Sequence, residues 1–567
     1  MTSLRSKPFL LAFGLGLGAA LPADAGEGAA GPYLAGRLAS LESDYATAAD
    51  YFTRALAADP GNPGLMDNVI IAQVGRGHVE KALPIATAVS PDASPSQIAD
   101  LVILADLAGR EDYAGAIAAL DAGRSGGPLV DGLYRAWALV GLGQMADATK
   151  AFDDVANGSG LKSFALYHKA LALASVGDFE GADAIFSGAA GGPLRATRRG
   201  VIAHVQILSQ LERDPDALEL IDKTFGDDAS ISTLREKLES GQTIPFDVVD
   251  GARDGMAEVF YTVANALSGE NADLNALAYA RIAAYLAPEE ADATLLAATI
   301  LEKQGQYELA TEAFNLVSRD DPAFVAAELG RAEALISADR ADAAIEALQQ
   351  LAKANPDRDD IWFTLGDTYR RQERFDEAAD AYDKAIATYK TDDVSHWPVY
   401  YSRAICLERE KNWDAAEADF RKALELKPDQ PQVLNYLGYS YLERKENYGE
   451  ALSMIERAVA ARPDDGAIVD SLGWALYRLG RYEESVVQME QAVELMPVDP
   501  VVNDHLGDVY WAVDRKREAE FQWKRALSFE PDTEEEAARI RRKLEVGLDV
   551  VLKEEGAEPL AISKNDG

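Results

Sequence analysis

The residues that could do chemistry are few and scattered along the chain. The five histidines include no pair at the i, i+4 spacing that places two metal ligands on one helix face. Cys406 is the only cysteine, which excludes intramolecular disulfides and multi-cysteine metal sites. The sequence has no Gly-x4-Gly-Lys-Ser/Thr phosphate loop. We therefore predict no catalytic residues, no metal site, no cofactor and no enzymatic activity. The histidines are His78, His168, His204, His396 and His505.

The charge of the chain limits the classes of partner. It has 55 basic and 95 acidic residues, which gives a formal net charge of −40. A polyanion of this size is repelled by phosphate backbones and anionic lipid, so nucleic acid is excluded as a partner. Hydrophobic residues make up 48% of the chain, which argues against a disordered acidic protein. We expect the acidic residues to coat a folded surface.

The elements that must position any functional residue follow from a repeat, which is clearest between Leu434 and Pro531. Three consecutive segments of 34 or 35 residues each carry a Leu-Gly pair, a small residue, an alanine seven positions later and a proline. This period is typical of two-helix units stacked as a solenoid. The small residue marks the second helix of each unit, because two helices cross closely only where a side chain is small. The marks are Ala48, Ala82, Ala116, Ala148, Ala182, Ala217, Ala276, Ala310, Ala344, Ala378, Ala416, Ala451, Ser485 and Ala519.

The unit around Trp362 identifies the type of repeat. Trp362, the pair Leu365-Gly366, Tyr369, Ala378 and Tyr382 stand in the order of the tetratricopeptide signature. The chain therefore resembles the tetratricopeptide-repeat family over nearly its whole length. The resemblance implies an all-α, right-handed superhelical solenoid of about 14 helix-turn-helix repeats with a C-terminal capping helix.

The resemblance also implies where partners bind. In this family the first helix of each unit lines a concave groove that holds protein or peptide ligands. Aromatic side chains in such a groove offer rigid apolar contact area. The alternative is that several of these rings pack between neighbouring repeats. The groove residues that the resemblance implies are Asp367, Arg370, Arg371, Tyr401, Asn435, Tyr439, Asp470, Trp474, Tyr477, Asp504 and Trp511.

Breaks in the period predict the domain boundaries. About 25 extra residues lie between the marks Ala217 and Ala276, including a short helix at Leu234 to Leu238 and an extended loop. This insert is either a hinge between two arrays or a passive loop. Near the C-terminus, Thr533 and Glu536 predict the capping box of a final helix. We predict an N-terminal array at 26–224, the insert at 225–252, a C-terminal array at 253–531, a capping helix at 532–555 and a disordered tail at 556–567.

The first 25 residues predict export. Arg5 and Lys7 precede an apolar run, and Ala23 to Ala25 form a small-x-small cleavage site. The apolar run of about 13 residues is shorter than the ~20 that span a membrane. No cysteine stands at the cleavage site, so we expect a periplasmic protein that is not a lipoprotein and has no transmembrane segment after cleavage.

A closer resemblance covers the C-terminal block from Leu434 to Leu527. It is similar to exported bacterial tetratricopeptide adaptors that present substrates to a carboxy-terminal processing protease. This similarity predicts a periplasmic scaffold whose partners are such a protease and its substrates. One alternative is a cell-envelope assembly or secretion factor without a protease partner. The other is an enzyme, with a site at the 225–252 insert.

Overall fold

The computed structural model describes residues 28–89, 95–188, 196–226, 231–269 and 273–557. All regular elements in these ranges are helices, which confirms the predicted all-α class. The chain divides into two compact units, unit 1 up to Arg340 and unit 2 from Ala341. The predicted signal segment at 1–25 lies outside the described residues, as does the predicted tail from residue 558 onward. No described helix combines the length and the apolar character needed to cross a membrane.

Unit 1 contains eighteen helices in its described residues. They are α1 (Ala30–Leu41), α2 (Tyr45–Ala58), α3 (Pro63–Gly75), α4 (Val79–Ala88), α5 (Gln97–Gly109), α6 (Tyr113–Asp121), α7 (Pro128–Gly141), α8 (Met145–Ala156), α9 (Lys162–Ser175), α10 (Phe179–Ser187), α11 (Arg198–Gln210), α12 (Asp214–Phe225), α13 (Ser232–Glu239), α14 (Ala252–Ser268), α15 (Asp273–Leu286), α16 (Ala291–Lys303), α17 (Tyr307–Phe314) and α18 (Phe324–Ser337).

Unit 2 contains thirteen α-helices in its described residues, with one 3₁₀ turn at Val394–His396. The helices are α19 (Ala341–Ala354), α20 (Asp359–Arg371), α21 (Phe375–Ala387), α22 (Trp397–Arg409), α23 (Trp413–Leu426), α24 (Pro431–Glu443), α25 (Tyr448–Ala461), α26 (Gly466–Arg478), α27 (Tyr482–Leu495), α28 (Pro500–Ala512), α29 (Lys516–Ser528), α30 (Glu534–Val546) and α31 (Leu548–Glu554).

The repeat marks are confirmed. Each of the fourteen small residues is the fourth residue of its helix, and none exposes more than 1% of its surface. The glycine of the Leu-Gly pair has the matching role on the first helix. A Cβ atom at Gly366 would lie 2.6 Å from the Tyr382 ring, so only glycine lets α20 and α21 approach this closely. The close approach of the two helices in each pair therefore explains why a small residue and a glycine recur at these positions.

The turn between the two helices of a pair also repeats. At twelve of the thirteen pairs in which it is described, the residue five positions before the small residue has a positive φ. Glycine occupies five of these positions, for example Gly480 with φ 74°, because it enters the left-handed region without steric cost. Other residue types adopt the same conformation elsewhere, including Lys411 with φ 62°. The turn thus fixes the backbone at the base of each second helix.

Unit 1 folds back on itself. Helices α14 and α15 pack against the face formed by the first helices α3, α5, α7 and α9. Gly255 of α14 lies against the buried Trp137 ring of α7, where a Cβ atom would stand only 2.2 Å from the ring. Arg281 of α15 is buried and its Nε donates to the Gly75 carbonyl oxygen at 3.3 Å. The concave face of the N-terminal array is therefore filled by later helices of the same chain.

This arrangement differs from the predicted domain boundary. The predicted junction of two arrays lies at 225–252, whereas the structure divides at 340/341. The predicted short helix is present as α13. The extended stretch after it is bound to α11, because Gln206 and Asp247 exchange two hydrogen bonds of 2.5 and 3.1 Å. Ile244 and Val248 are buried beside it. Both parts of the insert, helix α13 and the extended stretch after it, are therefore packed into unit 1.

The capping segment consists of two helices instead of one. The predicted capping box is confirmed: the Glu536 amide donates to Thr533 Oγ1 at 3.2 Å, and the Thr533 amide donates to Glu536 Oε2 at 3.1 Å. Gly547, with φ 85°, ends α30 and begins α31 directly against the Trp511 ring. The kink lets both helices cover the last repeat.

Candidate functional site

A cavity in unit 2 crosses its first helices. Its volume is about 590 Å³, and it is lined by residues of α22, α24, α26 and α28 with the turns that follow or precede them. It begins at the C-terminal ends of α22 and α24 and ends at the N-terminal ends of α26 and α28. Its lining residues are Glu408, Arg409, Lys411, Trp413, Asn435, Tyr436, Tyr439, Ser440, Glu443, Arg444, Ala467, Asp470, Ser471, Met496, Asp499, Val501, Val502 and His505.

The middle of the cavity holds polar groups that lack protein partners. Asn435 Oδ1 is buried and accepts no hydrogen bond in the described part of the structure. The Tyr439 hydroxyl likewise makes none among the described residues, and burial raises the pKa of this hydroxyl, as do Glu443 and Asp470 nearby. Buried polar groups in folded proteins normally have a partner. Asn435 Oδ1 is an exception to this rule and, like the Tyr439 hydroxyl, is available to a bound molecule.

His505 forms one wall of the cavity. Its Nδ1 lies 3.1 Å from each carboxylate oxygen of Asp470, and its ring stacks on Trp474 with centroids 4.0 Å apart. Burial lowers the pKa of His505, but the Asp470 carboxylate, followed by Asp504 and Asp508, shifts it above its ordinary value overall. The imidazolium form is the one that this wall stabilises.

The raised pKa of His505 gives unit 2 a pH-dependent stability. A proton held more tightly in the folded chain contributes stability that is fully present below about pH 6.5 and lost as pH rises through the folded pKa. Lys543 and Arg539 of α30 face the same aspartates, so the net charge around the imidazole stays nearly balanced when it is protonated. We expect the urea midpoint of unit 2 to fall between about pH 6 and pH 8.5 more steeply than in His505→Gln. Parallel pH profiles for the two chains would contradict this assignment.

The structure brings three of the predicted groove residues together. Asn435, Tyr439 and Asp470 all line the cavity, on α24 and α26. Trp474 and Tyr477 lie beside it, where their rings stack with centroids 4.8 Å apart, and Tyr477 is buried. These two aromatic side chains pack within the repeats, which is the alternative that the sequence leaves open. Their role in binding stays a prediction.

The predicted residues upstream of the cavity lie outside its lining. Asp367 accepts a hydrogen bond from the Tyr382 hydroxyl at 2.6 Å and pairs with Arg370 at 3.1 Å. Arg371 is exposed at the end of α20. Tyr401 contacts the rings of Trp397, Phe420 and Tyr436. These four residues do not line the cavity.

Two predicted groove residues are corrected by the structure. The Asp504 carboxylate binds Lys543 Nζ of α30 at 2.8 and 2.9 Å. The Trp511 indole N–H donates to Asp549 of α31 at 2.9 Å, and its ring rests on Gly547. Both side chains are thus held by the capping segment. They face α30 and α31 because these helices occupy the place where a further repeat would stack.

The predicted groove residues do not include Lys411, Arg444, Met496 and Val501, which line the two ends of the cavity. Lys411 and Arg444 stand in turns, and Met496 and Val501 precede or begin α28. Lys411, Arg444 and Met496 lie outside the first helices, so the pattern of first-helix positions does not predict them. The regular turn geometry is the signal that locates Lys411, which occupies the left-handed position five residues before Ala416.

A serine motif elsewhere does not form a catalytic site. Gly123 to Gly127 reads Gly-x-Ser-x-Gly, the spacing of a nucleophile elbow. The segment is a turn between two helices, and Ser125 Oγ donates to Asp131 Oδ2 at 2.6 Å. The Ser125 amide donates to Asp100 at 3.0 Å, so the motif shapes the turn before α7. Among the described residues, no group of three or more His, Cys, Asp or Glu side chains is placed to hold a metal ion.

Comparison with protein families identifies the repeat type in part of the chain. A family model described as tetratricopeptide repeat matches residues 329–393 and 437–500. A second model with the same description matches residues 397–430, so that the matches adjoin one another. No curated protein matches the chain.

Solved structures with a similar arrangement have low sequence identity to this chain. A chain in the structure of the APC/C heterotetramer Cut9–Hcn1 is 16% identical, with 91% of this chain and 96% of that chain covered and a TM-score of 0.38. A tetratricopeptide repeat protein from Parabacteroides merdae is 16% identical, with 45% and 97% covered and a TM-score of 0.37. YrrB, described as having an unusual peptide-binding site, is 20% identical, with 35% and 99% covered and a TM-score of 0.28.

Proposed function

Residues 329–500 contain tetratricopeptide repeats, and from this premise we propose that the protein is a non-catalytic scaffold that binds a segment of another protein in the unit 2 cavity. The observation that carries the proposal is Asn435 Oδ1, a buried acceptor with no partner among the described residues. An unpaired buried acceptor costs about 1–3 kcal/mol, which a bound donor recovers.

A peptide backbone supplies the missing partners. It offers N–H donors to Asn435 Oδ1 and carbonyl acceptors to the Tyr439 hydroxyl, which lie one helical turn apart on α24. A cavity of about 590 Å³ is within the range of sites that bury small ligands, and it suits a few residues of an extended chain. In unit 1 the matching face is covered by α14 and α15, so the proposal assigns binding to unit 2.

Binding through Asn435 and Tyr439 is tested with the double variant Asn435→Ala/Tyr439→Phe. The probe is a displayed library of random heptapeptides, selected on the wild-type chain. We expect the selected peptides to bind the double variant at least about tenfold more weakly, the effect of about 1.4 kcal/mol of lost hydrogen bonding. The control Tyr448→Phe, which lies outside the cavity, should bind them as the wild type does. No enrichment, or equal binding to all three proteins, would refute the proposal.

The location and the partner are proposed from the sequence. We place the scaffold in the periplasm because the first 25 residues have the pattern of an export signal. Its role as an adaptor for a carboxy-terminal processing protease is supported by the resemblance of residues 434–527. Affinity capture of the full chain from a periplasmic extract should then recover a protease or a wall hydrolase. Recovery of envelope assembly or secretion components alone would contradict the adaptor role and favour an assembly or secretion factor.

A further inference from the structure

We propose that the ligand of the unit 2 cavity carries an acidic group at one end and an apolar side chain at the other. This inference rests on the proposed function, because it names the chemistry of the molecule that the cavity binds. It follows from three observations: cations with weak or no ion pairs at one end, an apolar wall at the other, and the unpaired polar groups between them.

The basic end lies at the turns that follow α22 and α24. The Arg409 side chain is 60% exposed, and its nearest carboxylate, on Glu408, is 3.8 Å away. Lys411 forms no ion pair within the described residues, and its left-handed turn fixes its backbone at the rim. Arg444 lies over the Trp413 ring at 4.6 Å and reaches Glu446 at 3.3 Å. Lys411 thus has no ion pair among the described residues, and Arg409 has only a long one.

The acidic residues at the same end already have donors of their own. Glu408 accepts a hydrogen bond from the Tyr436 hydroxyl at 3.2 Å. Glu443 accepts from the Trp474 indole at 3.3 Å and lies 3.5 Å from Arg478. In a chain with a net charge of −40, most basic groups meet a carboxylate. Cations left over at the mouth of a cavity attract an anion and orient it there.

The opposite end of the cavity is apolar. Met496, Val501 and Val502 line it at the start of α28, together with Ala467 at the start of α26. Val501 is 40% exposed. The Asp499 carboxylate at this end accepts from the Val502 amide at 2.9 Å and caps the helix. An aliphatic side chain of the ligand would cover this wall and gain about 25 cal/mol for each Å² of apolar surface removed from water.

The two ends are tested with matched hexapeptides carrying a fluorescein label. One set has two aspartates at one end and two leucines at the other, in both chain directions. A second set has lysines for the aspartates, and a third has serines for the leucines. We expect the better-oriented acidic–apolar peptide to bind at least tenfold tighter than its lysine and serine counterparts at low salt. The preference over lysine should shrink as salt is raised.

Variants at each end separate the two contributions. Arg409→Glu/Lys411→Glu should reverse the preference for aspartate over lysine, whereas Arg517→Glu/Lys524→Glu, with the same charge change on the exposed face of α29, should preserve it. Val501→Ser should weaken only the peptides that carry leucine. Reversal by the first variant and preservation by the second support the inference.

The test distinguishes failure of this inference from failure of the proposed function. Peptides that bind equally well with either charge, yet weaken in Asn435→Ala/Tyr439→Phe, would overturn the inference and leave the scaffold proposal standing. Absence of binding by every hexapeptide and by the random library would overturn both.

Discussion

Arg199→Ala is expected to lower the free energy of unfolding of unit 1 by about 3–5 kcal/mol, because it leaves a buried charge without its partner. Arg199 Nε lies 2.6 Å from Glu258 Oε2, and its Nη1 lies 2.7 Å from Glu290 and 2.9 Å from Asp292. Glu258 is only 3% exposed, and its other oxygen accepts from the Tyr167 hydroxyl at 2.8 Å. Burial raises the pKa of this carboxyl even with Arg199 beside it.

Two controls isolate the buried charge from the loss of side-chain volume. Arg199→Met/Glu258→Gln removes the buried pair and should cost less than Arg199→Ala alone, since the carboxylates that remain, Glu290 and Asp292, are 37% and 38% exposed. Arg135→Ala breaks an ion pair with Asp121 whose side chains are 37% and 63% exposed, and should cost about 1 kcal/mol or less. Urea unfolding, monitored by amide hydrogen exchange, measures the stability of each unit separately. A cost for Arg199→Ala below that of Arg135→Ala would contradict the prediction.

Lys543→Ala is expected to release the capping segment and to destabilise unit 2 by about 3–5 kcal/mol. The Lys543 side chain is fully buried, and its Nζ lies 2.6 and 2.8 Å from the two oxygens of Asp508. Asp508 also accepts from the Trp523 indole at 2.9 Å. Without the ammonium group, the neighbouring carboxylates of Asp504 and Asp508 repel one another in a buried site. The measurable result is faster amide exchange across α30 and α31.

The matched variants again separate charge from packing. Lys543→Met/Asp508→Asn keeps an acceptor for Trp523 and removes the buried pair, so it should retain more stability than Lys543→Ala. Arg542→Ala, one position away on the exposed side of α30, should leave the unfolding midpoint essentially unchanged. Unchanged protection of α30 and α31 in Lys543→Ala would show that apolar contacts alone hold the capping segment.

The helix pairs were predictable because close packing imposes a local rule. Every small residue that the period marks, from Ala48 to Ala519, is buried at the same place in its helix. The return of α14 and α15 onto the N-terminal array was not predictable in this way. Ala276 obeys the same local rule whether its pair stacks onto the preceding repeat or fills its concave face. The choice depends on long-range contacts such as that between Gly255 and Trp137.

The candidate site shows the same limit. Its middle was predictable, since Asn435 and Tyr439 stand on a first helix at positions that face the groove in this type of repeat. Asp504 occupies the position of Asn435 in its repeat and Trp511 is another predicted groove position, but the capping helices bind both. Position within a repeat cannot reveal whether a neighbour covers it. The ion pairs of the capping segment were equally hidden, because a lysine such as Lys543 is expected to be solvated when its helix is considered alone.

The closed arrangement of unit 1 also determines how its parts depend on one another during folding. The Tyr45 hydroxyl donates to Gln304 at 2.9 Å across 259 residues, and Gln306 donates to the Glu42 carbonyl at 3.2 Å across 264. An array with contacts only between neighbours can gain or lose one repeat at a time. Unit 1 must close large loops before these contacts form, and high contact order slows folding. Unit 1 should therefore fold late and unfold as a whole, whereas the repeats of unit 2 can form one after another.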